Sequence, residues 1–219
     1  MLRALHVYDD LEPHPAALNM AIDEALLADL TAAVLRFYRW RRPSISFGYF
    51  GRFAEAAEQL GDRDIVRRWT GGGVVPHGSD LTYSIIIPAS DALFARSSPE
   101  IYRTVHEAIR TALEANGLAA ELAAEPAPKI SDACFANAVR ADVMTAGRKI
   151  AGAAHRRTRA GLLHQGSIQL PDLPERFRTD LAHALCQRSE SSVLSDRTFT
   201  DAEQIAAAKY ATTAWLHRR

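Results

Sequence analysis

The sequence predicts an α+β fold, and three observations carry that expectation. Ala33 to Trp40 alternates around Arg36 and Arg39 and is rich in Val, Phe, Tyr and Trp, as a half-buried strand would be. Leu81 to Pro88, with Ile85, Ile86 and Ile87, has the composition of a buried strand. Ser98 to about Asn116 carries Ile101, Val105, Ala108, Ile109 and Ala112 at helical spacing. Strand runs of this kind mixed with separated helices argue for α+β.

Taken in order, Leu2 to Tyr8 alternates loosely and reads as an edge strand, ended by Pro13 and Pro15. Ala17 to Leu30 reads as a helix with Leu18, Ile22, Ala25 and Leu26 on one side and Asp23 and Asp29 on the other. After the Ala33 strand, Pro43 is a break and Ser44 to Tyr49 a second strand. Phe53 to Leu60 is a short helix stopped by Gly61. Ile65 to Arg68 is a strand that runs into three glycines. Ser98 is the expected N-cap of the long helix, Pro99 its first residue, and Asn116-Gly117 its stop. Leu118 to Leu122 is a short strand and Glu125 to Ser131, with Pro126 and Pro128, a loop. Arg140 to Met144, Lys149 to Ala154 and Gly161 to Leu170 read as strands, Leu173 to Arg188 and Asp201 to Leu216 as amphipathic helices.

Composition narrows the function. The 219 residues carry 26 basic and 26 acidic side chains, a formal net charge of zero, which gives no support for a nucleic-acid or membrane-surface partner. Two cysteines, Cys134 and Cys186, are too few for a disulfide framework and fit a reducing compartment. Met1 to Asp10 lacks the apolar run of a signal peptide, and no stretch approaches the ~18 apolar residues that span a bilayer. A cytoplasmic protein is expected.

The chemistry concentrates around Arg67-Arg68-Trp69-Thr70-Gly71-Gly72-Gly73-Val74-Val75-Pro76-His77. Three glycines remove the Cβ atoms that keep a ligand from the backbone, and their N–H groups can turn toward an oxyanion or carbonyl oxygen. Arg67 and Arg68 are expected to add positive charge at the entrance. A glycine-rich hairpin turn with a solvated arginine pair has the same pattern. Two later stretches add weight to the first reading: Ser131-Asp132-Ala133-Cys134-Phe135, and Gly147-Arg148-Lys149-Ile150-Ala151-Gly152-Ala153-Ala154 followed by Leu163-His164-Gln165-Gly166-Ser167.

In this order the motifs resemble the lipoate/octanoate protein ligase and transferase family, and Asn19 to Leu27 resembles that family's first helix. The resemblance covers about Ala17 to Leu170. It implies a mixed or mostly antiparallel central sheet flanked by helices; the family's ligases often carry an extra C-terminal domain, but little chain follows Leu170, so a single catalytic domain without one is expected. It also implies that Cys134 is a nucleophile that takes an octanoyl (or lipoyl) group from octanoyl-acyl carrier protein and passes it to a lysine of an apo lipoyl domain; the sequence does not choose between the two acyl groups. Lys149 is then the lysine that contacts the acyl carbonyl, with Gly152 leaving room beside it. Arg68, Gly71, Gly72, Gly73, Val75, His77, Gly152, Ala153 and Gly166 are the residues expected to hold the acyl group.

Each of these residues also has a plainer reading. Cys134 can be an inert buried thiol, Lys149 a surface lysine and His77 a solvated loop histidine. The family usually follows the histidine with Asp; here Gly78 stands there and Asp80 comes two later, which weakens the expected His–Asp pairing. His164 stands one residue before Gln165, the position where relatives commonly carry His. Cys186 is expected in the core. Phe47, Trp69 and Tyr83 are candidates for an acyl channel or for plain core. The transferase reading needs no cofactor. Its alternatives are an ATP- and Mg-dependent lipoate–protein ligase working through lipoyl-adenylate, and a non-catalytic acyl- or lipoyl-domain-binding paralogue.

Overall fold

The structure, a computed structural model, describes residues 1–126 and 138–218. Among the described residues eleven strands form two sheets. β1 is Leu5–His14, β2 Ala33–Trp40, β3 Ser44–Phe47, β4 Asp64–Arg67, β5 Val75–His77, β6 Leu81–Pro88, β7 Glu121–Leu122, β8 Val143–Thr145, β9 Arg148–Arg157, β10 Gly161–Ile168 and β11 Ser189–Ser192. The helices are α1 Ala16–Ala28, α2 Phe53–Ala57, α3 Ser98–Ala115, α4 Arg176–Leu185, α5 Asp196–Ile205 and α6 Thr213–Leu216. The large sheet has the order β11-β1-β2-β6-β10-β9-β8-β7, and the small one β4-β3-β5. β1 is parallel to both β11 and β2, and the remaining pairs of the large sheet are antiparallel, so the expected mixed sheet is present.

The period-2 alternation of the central strands builds two cores. Leu35, Phe37, Tyr83, Ile85 and Ile87 face α3 and α4. Val34, Tyr38, Ile86 and Leu163 face the other way, toward α1 and α5. Among the described residues no helix is long and apolar enough to cross a membrane. Cys186 is buried in the first core, as expected.

Several local expectations are corrected. β1 runs on through Pro13 and lies inside the sheet, because β11 pairs with its outer side. The polar sequence Ser189 to Ser192 gave no sign of that strand. β5 replaces part of the expected loop and pairs antiparallel with β3. The N-cap of α3 is Ser97, since the Glu100 carboxylate reaches back to accept the Ser97 N–H at 2.9 Å in a capping box. The helix expected over Asp201 to Leu216 starts earlier and breaks into α5, a π-helical turn at Ala206–Tyr210, and α6. Most of the loop expected over Glu125 to Ser131, and Cys134 itself, lie outside the described residues.

Candidate active site

A cleft of about 380 Å³, counting its open mouth, lies on the α1 face of the large sheet, against the small sheet. Tyr38, Trp40, Ala154 and Gln165 wall one side, and Ser46, Arg68, Val75 and His77 wall the other. Gly152, Ala153 and Gly166, with Met20, Thr82 and Ser167, complete it. Of the residues expected to hold an acyl group, Arg68, Val75, His77, Gly152, Ala153 and Gly166 therefore meet at one cleft.

Lys149 does not line the cleft itself but packs against Gly152, which does. Its ammonium pairs with Asp142 at 2.8 Å, and the two side chains are 4% and 0% exposed. Asp142 also accepts the Tyr102 hydroxyl and the Val139 N–H. The Tyr102 oxygen in turn accepts the Ala153 N–H at 3.2 Å, which ties the pair to β9. A Cβ on Gly152 would lie 2.5 Å from Lys149 Cε and 2.7 Å from its Nζ. The Lys-x-x-Gly spacing is thus a packing rule: the lysine folds back over a strand residue that has no side chain.

The glycine loop is built from carbonyls as much as from N–H groups. Arg68 donates to Gly71 O and Gly73 O at 2.9 Å each and to Ser46 Oγ at 2.7 Å. Gly72 has φ +88°, a conformation that favours glycine, and a Cβ there would press on the Arg68 guanidinium at 3.2 Å. Gly48, on the turn after β3, also proves necessary: a Cβ there would overlap the Gly72 carbonyl. The expectation of two charges at the entrance is corrected. Arg67 is 1% exposed and donates to the carbonyls of Tyr49, Gly51, Trp215, Leu216 and Arg218. It clamps the C-terminal helix to the loop after β3 and leaves no charge at the mouth.

His77 is buried, and the weakening of its Asp pairing expected from Gly78 is also corrected. Its Nδ1 lies 2.9 Å from Asp80 Oδ2, because the turn at Gly78, with φ +147°, brings Asp80 back under the ring. Its Nε2 lies 2.6 Å from Ser46 Oγ, and the ring stacks on Trp40 at 4.2 Å. Arg68 can only donate to Ser46, so the hydroxyl proton is left for Nε2. Neutral His77 then carries its proton on Nδ1, toward Asp80. Asp80 also accepts from Thr82 and Ser167. Burial pushes the Asp80 carboxyl up, but the charge of protonated His77 and hydrogen bonds from His77, Ser167 and Gly78 N–H outweigh it and hold it at about 2.

A second polar network went unnoticed in the sequence. Gln165 accepts from Thr70 Oγ1 at 2.8 Å and donates to Asp23 Oδ2 at 2.7 Å. Asp23 also takes Arg36 at 2.8 Å and the Ser84 hydroxyl. Arg36 continues to Asp10, which pairs with His14. Asn19, Asp23 and Arg36 are all fully buried. The chain of contacts runs from α1 to Thr70 at the start of the glycine loop. The signal available was a basic residue inside an apolar strand and an acid inside an apolar helix, each needing a partner.

His164 faces away from the cleft, since it alternates with Gln165 along β10. It joins His106 and His155 around Tyr102, with ring centroids 5.8 to 6.1 Å apart. His106 Nε2, His155 Nδ1 and His164 Nδ1 are buried without a hydrogen-bond partner among the described residues. Burial pushes all three below their ordinary value, His106 to about 4. Tyr83 lies on that same face, its ring filling the space a Gly166 side chain would need, and Phe47 belongs to the small core. The aromatic walls of the cleft are Tyr38 and Trp40 instead. Among the described residues no group of three or more His, Cys, Asp or Glu side chains is placed to hold a metal ion.

The fold and the motifs can be compared with known proteins. Among solved structures, a T. acidophilum protein assigned as a lipoate protein ligase, with bound lipoic acid, superposes with a TM-score of 0.78 at 21% identity, over 99% of both chains. The octanoyltransferase LipM of Oceanobacillus iheyensis is 38% identical over 167 residues, 72% of this chain and 61% of the relative. LipM of Geobacillus kaustophilus is 36% identical over 178 residues, 74% and 63% of the two chains. The matched region therefore spans less than two thirds of either relative. The family model of the lipoyl protein ligase A/B catalytic domain matches residues 15–193, from the start of α1 through β11, which takes in the cleft, the glycine loop and the Lys149 turn. The chain belongs to the lipoyl protein ligase A/B catalytic domain family.

Proposed function

We propose that the chain is an octanoyl transferase of protein lipoylation. It takes an octanoyl group from octanoyl-acyl carrier protein onto Cys134 and passes it to a lysine of an apo lipoyl domain. The observation that carries the reading is the buried Lys149–Asp142 pair folded over Gly152 at the wall of a cleft with aromatic and glycine sides. The octanoyltransferase LipM relatives support octanoyl as the group moved.

The steps balance without an outside energy source. The Cys134 thiolate attacks the thioester carbonyl, the carrier's sulfur leaves, and one thioester replaces another at nearly equal energy. The lysine amine then attacks the enzyme thioester, the Cys134 sulfur leaves and the amine gives up a proton. An amide replaces a thioester, which runs downhill, so ATP is not needed. A free thiol ionises near ~8.5, and a cation beside Cys134 would favour the thiolate. Lys149 is the proposed donor to the oxyanion in both steps, a role typically worth ~3 kcal/mol per donor. Burying roughly six methylenes of the chain against Tyr38, Trp40 and Met20 contributes ~5 kcal/mol at ~0.8 each.

The test is intact mass spectrometry of the protein mixed with octanoyl-acyl carrier protein without ATP. The expected result is an octanoyl adduct on Cys134 that an apo lipoyl domain removes. Lipoylation of that domain only with lipoate and Mg-ATP would establish a ligase instead. Full transfer by Cys134→Ser would refute the thioester step.

A further inference from the structure

We propose that the rim beside the glycine loop, centred on Phe50, Arg156, Lys209 and Arg218, is the docking surface for an acidic protein that carries the acyl donor. The proposal rests on the transferase reading and names where its first substrate lands. Three cations and three aromatic rings alternate there in a closed circuit. Arg156 lies over Tyr49 and Trp69, at 4.9 and 4.5 Å. Lys209 lies over Trp69 and Trp215, at 4.2 and 4.4 Å. Arg218 lies over Trp215 and Tyr49, at 5.0 and 4.1 Å, which closes the circle.

The circuit is rich in charge and short of counter-charge. Among the described residues its one carboxylate is Glu24, 2.6 Å from Lys209. Arg156 and Arg218 make no ion pair among those residues, and Arg156 Nε is buried without a hydrogen-bond partner. Burial pushes the Lys209 ammonium down, Glu24 opposes this, and repulsion from Arg156 and Arg218 adds to it. Like charges gathered in this way are relieved by an incoming anionic surface and steer it toward the mouth.

A small anion alone would leave Phe50 unexplained. It is 85% exposed and packs edge-on against Tyr49 at 5.0 Å. The loop that presents it is held from within, since Arg67 Nη1 binds the carbonyls on both sides, those of Tyr49 and Gly51. A pre-organised exposed aromatic beside Arg52 and Arg218 has the make-up of a protein interface centre. The position fits delivery. Arg156 is two residues from Ala154 on the same face of β9, about 7 Å along the strand, and Ala154 lines the cleft under Gly72. The donor, an acidic carrier whose thioester arm is joined through a phosphate diester, suits a basic rim.

The test measures binding by the full chain of octanoyl-acyl carrier protein, its acyl group held as a non-transferable amide, and separately of the apo lipoyl domain. The variants are Phe50→Ala, which removes a solvent-exposed ring, and Arg156→Gln with Arg218→Gln. Each is expected to weaken carrier binding about tenfold, and the arginine pair also to flatten its salt dependence. Lipoyl-domain binding should stay unchanged. KM for octanoyl-carrier should rise, while kcat and KM for an octanoyl N-acetylcysteamine thioester hold. Carrier binding unaffected by Phe50→Ala and by the arginine pair overturns the proposal and leaves the circuit as a clamp on the C-terminal helix. Loss of lipoyl-domain binding in place of carrier binding overturns it in favour of the acceptor. Wild-type protein that binds carrier through these residues but transfers nothing upholds the surface and removes the transferase reading. Wild-type protein that transfers from the small thioester but does not bind carrier does the reverse.

Discussion

Gly152→Ala separates the position of Lys149 from its presence. The added methyl would lie 2.5 Å from Lys149 Cε and 2.7 Å from Nζ, and 3.4 Å from Asp142 Oδ1. The carboxylate sits at ordinary contact, so the flexible lysine end is what moves. Going from 2.7 Å to a tolerable 3.4 Å or more shifts the ammonium by about 1 Å, a misplacement that costs up to ~100-fold in rate when the group stabilises a transition state. That is ~2.7 kcal/mol in the barrier. The backbone at 152 needs no positive φ, so the strand itself tolerates alanine. Lys149→Met differs: it leaves Asp142 as an unpaired buried charge, at about 3–5 kcal/mol of stability. Single-turnover octanoyl transfer is expected to fall 10- to 100-fold in Gly152→Ala, with a thermal midpoint within a few degrees of wild type. In Lys149→Met both readouts should drop. Transfer by Gly152→Ala within a factor of two of wild type would refute the idea that Lys149 acts from where it lies.

Three other expectations use the buried networks. Asp80, held at about 2 against an ordinary 3.8, contributes on the order of 2 kcal/mol of stability, fully present above pH 4 and lost as pH falls through 2. The gap in urea stability between wild type and Asp80→Asn should narrow as pH falls from 4 toward 2. His106 works at higher pH: its native value of about 4 against 6.5 means that the unfolded chain takes up the proton first as pH drops. Stability should decline by on the order of 3 kcal/mol between pH 6.5 and 4, and His106→Phe should flatten that slope; an unchanged slope would show that another group titrates there. Gln165→Leu leaves Thr70 and Asp23 each short of a partner, at about 1–3 kcal/mol per buried group. It is expected to lower the melting temperature and raise KM through the loosened glycine loop, and a change in kcat alone would contradict that route.

What the sequence made legible follows the range of the forces involved. β2 and β6 were placed to the residue because each alternates between two apolar faces and a one-residue slip would turn every side chain over. α3 was placed to within a residue at each end for the same local reasons, yet its cap was misjudged: Ser97 and Ser98 both qualify, and only the reach of Glu100 selects the first. β11 and β5 carry no apolar pattern of their own. Their strand character comes from the partners beside them, β1 and β3, which periodicity does not report.

The site divides along the same line. Lys149 and Gly152 are three residues apart, so the fold-back that joins them is local and the motif announces it. Asp142 and Tyr102, which complete the pair, come from the turn just before β8 and from α3. The arginine pair shows the limit more sharply. Adjacent residues on a strand point to opposite faces, so Arg67 and Arg68 could never both guard one entrance. Arg68 turns into the glycine loop and Arg67 turns out of it, to the C-terminal carbonyls. Five backbone acceptors around one buried guanidinium make that second contact costly to break, because each donor would be left without water. The C-terminal helix, which lies beyond the family match, is thereby fixed beside the loop that shapes the cleft, so changes at Trp215 reach the site through Arg67 and changes at Lys209 through Trp69.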